Sequence, residues 1–134
     1  MPLLRIAIGI GLLFSHAPAK AEDPADTVMA AAADLSLGYG AWLWEKKCKT
    51  LTSAESADYD AVITEALKRL RDASDDRIFN ATTGAGRDVS TDPKFSGCDG
   101  AQTKGFAAFG LEQARGALAK LRAVPAGFKL TIKD

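Results

Sequence analysis

Between Thr52 and Ala73 the chain reads TSAESADYDAVITEALKRLRDA, and this stretch dictates the rest of the fold. Tyr59, Val62, Ile63, Ala66, Leu67 and Leu70 recur at the i, i+3, i+4, i+7 spacing that only an α-helix gathers onto one face. Glu65, Lys68, Arg69 and Arg71 fall on the opposite side, and the basic ones cluster where the helix dipole favours them. Thr52 and Glu55 have the spacing of a capping box. A helix with one apolar face needs other elements to cover that face, so the remaining chain must supply them.

Two further stretches answer that need. Asp23-Pro24 reads as an N-cap followed by proline in the first helical position, opening a helix over about 24–49. Its alanines favour helix, whereas Gly38 and Gly40 each cost about 1 kcal/mol relative to alanine, so a bend or break near GYG is expected. Leu37, Ala41, Trp44 and Cys48 share a face, with Leu35, Tyr39 and Trp42 on a neighbouring stripe. The two tryptophans point about 200° apart and cannot form one flat platform. A last helix is expected over about 100–122, with Asp99 as its cap and Ala107, Leu111, Ala114, Leu118 and Leu121 as its stripe. Phe106 and Phe109 add bulk beside it, and Gly105, Gly110 and Gly116 permit close approach of another backbone.

Residues 72–98 read as an irregular loop region, with Ser74 capping one short helix through DDRIFNA. Residues 123–134 read as an extended tail in which Phe128, Leu130 and Ile132 alternate with polar residues, laid over the helices or offered to a partner. The expected fold class is therefore all-α, a small three- to four-helix antiparallel bundle in a single helical domain, 22–134.

Residues 1–21 carry the pattern of an export signal. Arg5 precedes the apolar run 6–14, and Ala19-Lys20-Ala21 places small residues where a signal peptidase reads them. The expected address is the periplasm or outside the cell, by bacterial export, with no stable membrane insertion after signal cleavage. Two cysteines in an exported chain most simply form one disulfide, here Cys48–Cys98, about fifty positions apart. In the chain-entropy model a bridge of that span stabilises by roughly 4 kcal/mol.

The single histidine, His16, lies within the signal, so the exported chain lacks the commonest general base and transition-metal ligand. Basic and acidic residues are equal in number, which gives no excess to hold a phosphate backbone, and nucleic acid is excluded as an expected partner. Pairs such as Glu55 with Asp58 have no specificity for hydrolysis, and no enzymatic activity is expected. Asp72, Asp75, Asp76 and Asn80 would share one face if the second helix continued, and could hold a hard cation such as calcium or a lanthanide through oxygen ligands. No other cofactor is expected. Trp42, Phe128, Leu130 and Ile132 are the candidate interaction residues.

The order helix–Cys–helix–loop–Cys–helix, with a tryptophan shortly before Cys48 and about fifty residues between cysteines, resembles the HdeA-type periplasmic acid-stress chaperones. That resemblance implies a binding role without catalysis. The expectation is a protein-interaction, chaperone-like or accessory factor that meets an unknown protein partner or forms a weak homodimer. Its alternative is a periplasmic metal-ion binder.

Overall fold

The structure, a computed structural model, describes residues 23–100, 103 and 105–133. The expected export signal, 1–21, lies outside the described residues. Four helices run up, down, up and down: α1 Pro24–Cys48, α2 Ser53–Ala73, α3 Asp76–Thr91 and α4 Phe106–Arg122, with a 3-10 turn at Pro93–Phe95. The fold is the small all-α bundle that the apolar periodicities require, with the Cys48–Cys98 disulfide tying the end of α1 to the connection that precedes α4, Cα atoms 5.4 Å apart.

Local chemistry sets the helix boundaries. Asp23 Oδ1 accepts from Ala25 N at 2.9 Å to open α1, and Pro24 occupies the first turn where its missing N–H is not needed. The capping box of α2 is complete: Thr52 Oγ1 accepts from Glu55 N and Glu55 Oε1 accepts from Thr52 N. Between α1 and α2 the chain reverses through Lys49, whose φ of 52° is left-handed. The reversal is held by Glu45, which is 3% exposed. Its carboxylate accepts from Thr50 N (3.0 Å), Thr50 Oγ1 (2.6 Å) and Leu51 N (2.7 Å).

α1 does not break at GYG. It runs unbroken because both glycines are contact points. A Cβ on Gly38 would sit 2.9 Å from Ala114 Cβ of α4, and one on Gly40 would sit 2.6 Å from Gly86 O of α3. On α4, a Cβ at Gly110 would sit 2.2 Å from Ala41 Cβ. The backbones of α1, α3 and α4 therefore approach more closely than alanine allows, and dispersion contacts offset the weaker helix propensity.

Residues 72–98 depart from the expected loop. Sixteen of them form α3, capped by Asp75 and not by Ser74: Asp75 Oδ1 accepts from Ile78 N at 3.0 Å. The small polar residues that suggested a loop satisfy their hydroxyls inside the helix. Thr82 Oγ1 donates to Ile78 O and Thr91 Oγ1 to Arg87 O. Ser74 is buried and its hydroxyl donates to Leu70 O at 2.5 Å. The last helix begins at Phe106, later than the expected 100, after Gly105 at φ +79°.

Two apolar clusters result. The main core joins Val28, Leu35, Tyr59, Ile63, Leu70, Leu111, Leu118 and Leu121 across the bundle. A satellite cluster at the disulfide end joins Ala41, Trp44, Phe106 and Ala107, with Cys48, Leu51, Val89 and Phe95 packed against it. Tyr59 bridges the main core to α1 by donating its hydroxyl to Gly38 O at 2.5 Å. Burial, with the Glu45 charge adding to it, pushes the Tyr59 phenol well above its ordinary value.

Candidate interaction surface

Trp42 is half-buried and its polar handle is engaged within the chain. Its Nε1–H donates to Asp60 Oδ1 at 2.8 Å, and the Tyr39 ring stacks on it at 5.8 Å between centroids. The Lys46 ammonium lies 5.2 Å from the ring centroid and pairs with Asp60 as well. Hydrogen bonds from Lys46 and then Trp42 hold the Asp60 carboxyl below its usual range. This arrangement fastens α1 to α2. It leaves Trp42 a partly open edge, not a free anchor.

The tail residues take three different positions. Leu130 pairs in parallel with Ser74: its N–H donates to Ala73 O at 2.8 Å, and its carbonyl accepts from Asp75 N at 2.9 Å. Phe128 and Leu130 pack half-buried against the main core. Ile132 is 51% exposed, though its N–H donates to Asp75 Oδ2 at 2.8 Å. The tail thus lies over the α2–α3 junction, with Ile132 presenting its one large apolar side chain that is exposed.

The four candidate cation ligands do not share a helix face. Ser74 adopts extended backbone, φ −147° and ψ 162°, so α2 stops before the face could form. Asp72 pairs with Lys68 at 3.2 Å, and Asp75 spends its two oxygens on Ile78 N and Ile132 N. Asp76 and Asn80 are exposed on α3. Among the described residues no group of three or more His, Cys, Asp or Glu is gathered as a metal would require. Cys48 and Cys98 are joined, as their number implied.

A further surface escaped the sequence reading. Met29, Ala30, Ala33 and Leu37 lie exposed along the first half of α1, with Met29 52% and Leu37 39% exposed. The same helix face is covered further along, where Trp44 meets Phe106 edge-on at 5.5 Å. Phe109 of α4 is 50% exposed. It shares an α4 edge, at helical spacing, with Gly116 and Lys120, and that edge flanks the strip, because Lys120 Nζ bonds Asp34 Oδ2 at 2.5 Å. The pairing neutralises Asp34, the one charged residue of α1 between Thr27 and Trp44. At the start of α1 the surface dips into an open groove of about 770 Å³, walled by Pro24, Thr27, Ala119, Ala123 and Val124.

The signal for this strip was present. A helix whose apolar residues run right round it is either buried all round or left with a bare face, and residues 28–44 spread theirs round the helix with Asp34 as the single charge. Such a strip can desolvate against an apolar segment of another polypeptide without stranding a charge. No helix among the described residues is long and apolar enough to cross a membrane. Comparison of the chain with known protein families, with curated proteins and with solved structures found no significant match.

Proposed function

We propose that this chain is a small exported protein without enzymatic activity that works by binding other polypeptides, as a chaperone-like or accessory factor. The observation that carries this reading is the charge-poor apolar strip of Met29, Ala30, Ala33 and Leu37, bordered by Phe109. Apolar side chains on a small exported domain that are neither packed nor charged are a standing liability unless they meet a partner. Export to the periplasm or beyond is supported by the leader pattern of residues 1–21 and by the disulfide.

The test uses aggregation of chemically denatured, unrelated proteins, together with sedimentation of the chain alone. The native chain is expected to suppress light scattering near equimolar ratio or to self-associate at high concentration. The variant Met29→Glu/Leu37→Glu/Phe109→Glu should lose that behaviour with its far-ultraviolet circular dichroism unchanged. A native chain that is monomeric throughout and leaves scattering untouched would end this reading.

A further inference from the structure

We infer that the Cys48–Cys98 disulfide is a redox latch over the satellite aromatic cluster, and that reduction by a dithiol opens this end of the bundle while the main core stays folded. Four observations point there. First, Cys98 is exposed, whereas Cys48 is half-buried against Trp44 and Phe106, so a reductant reaches the bond from the Cys98 side. Second, the described backbone hydrogen bonds of the connection run within it or to the helix ends it joins, Asp92 N to Val89 O, Phe95 N to Asp92 O, Ser96 N to Pro93 O, Thr103 N to Gly100 O and Phe109 N to Gly105 O, and none reaches α1 or α2. The connection is seated on the bundle by the Phe95 ring, stacked on Phe106 at 4.2 Å, and by the disulfide.

Third, α4 begins at Gly105 with no side chain capping its first turn, and that turn carries Phe106 and Ala107, half of the satellite cluster. An uncapped first turn is the part of a helix readiest to fray. Fourth, Trp44 is 1% exposed, and its Nε1–H meets no acceptor among the described residues. Closure therefore leaves this buried donor without an acceptor among the described residues, and opening gives it water.

The chemistry balances. One thiolate of the reductant attacks Cys98 Sγ, Cys48 Sγ leaves as thiolate and takes a proton, and a mixed disulfide forms. The second thiol of the reductant then attacks its own sulfur in that bond and releases Cys98. Two electrons pass to the protein, which gains two thiols, and the dithiol becomes a disulfide. With the tether cut, the connection keeps the Phe95–Phe106 stack, the Pro93–Phe95 turn and buried Thr103 but no covalent hold, and the faces of Phe106 and Trp44 become reachable as it lifts.

Hydrogen exchange of the full chain with and without dithiothreitol tests this. On reduction, protection over residues 93–100 and 105–108 should fall by roughly tenfold or more while α2 keeps its protection, as expected for a subglobal opening. Apolar dye should bind in the reduced state, and reoxidation should restore closure. Cys48→Ser/Cys98→Ser should show the open pattern without any reductant. Identical exchange maps in the two redox states would overturn the latch. So would loss of protection across α2, which would make the bond a prop for the whole fold.

Discussion

Among the described glycines Gly110 leaves the least room for a Cβ, and replacing it with alanine probes how the helices are joined. The new Cβ would stand 2.2 Å from Ala41 Cβ and 2.5 Å from the Tyr59 hydroxyl. Carbon atoms rest about 3.5–4.0 Å apart, so α1 and α4 must separate by roughly 1.5 Å. Neither neighbour can swing aside: Ala41 has no rotamer to change, and the Tyr59 hydroxyl is bonded to Gly38 O. Overpacking of this kind costs about 1–3 kcal/mol. Disturbing a buried hydroxyl's bond adds about 1 kcal/mol or more. Alanine's better helix propensity returns about 1 kcal/mol. The expected net loss for Gly110→Ala is about 1–3 kcal/mol. Gly84→Ala on α3 is the control, since a Cβ there meets nothing within 4 Å. That variant should gain up to about 1 kcal/mol. Urea unfolding followed by circular dichroism reads both. A Gly110→Ala protein as stable as the native chain, or more so, would refute the close-approach argument for α1 and α4.

Other expectations rest on the buried and paired carboxylates. Glu45→Ala should destabilise by about 2–3 kcal/mol, because it strands the Thr50 and Leu51 donors in the α1–α2 turn, and urea midpoints will show it. Hydrogen bonds from Arg122 and then Arg69 pull the Glu65 carboxyl down to about 2, and backbone donors of Ile132 and then Ile78 lower Asp75. Folded-state values below the unfolded ones mean the unfolded chain binds more protons, so stability is full above the ordinary carboxylate range and is lost as pH falls toward about 2. Urea midpoints taken between neutral and strongly acidic pH should show that fall, with Glu65→Gln flattening it. Asp75→Ala should speed amide exchange at Ile132 and in the first turn of α3 together, and unequal responses would separate the cap from the clasp.

The sequence carried α1 and α2 to within a residue, because their signals are local: a capping aspartate with proline, a capping box, and an apolar period. α3 was hidden because its stabilisation is tertiary. Gly86 approaches Gly40 of α1, a contact no local signal shows, while Thr82, Thr83, Ser90 and Thr91 satisfy their hydroxyls on carbonyls three or four residues back, so residues with poor helix propensity are tolerated in a helix that its packing on α1 holds. The disulfide followed from counting cysteines. The acidic face did not form, because periodicity cannot show where a helix stops, and Ser74 stops it. The bare strip on α1 needed the structure, since a helix apolar all round does not declare which side its neighbours leave open.

The groove walled by both the start of α1 and the end of α4 fixes an orientation for the whole molecule. Asp23 and Ala123 leave the bundle from one pole, and the tail crosses the α2–α3 junction at that same pole. The disulfide sits at the other pole, about 37 Å away along α1. A tether attached through either terminus would therefore hold the molecule by one end and turn the Cys98 end outward. For an immobilised or fused form, the cysteine-bearing pole is the one that meets whatever approaches.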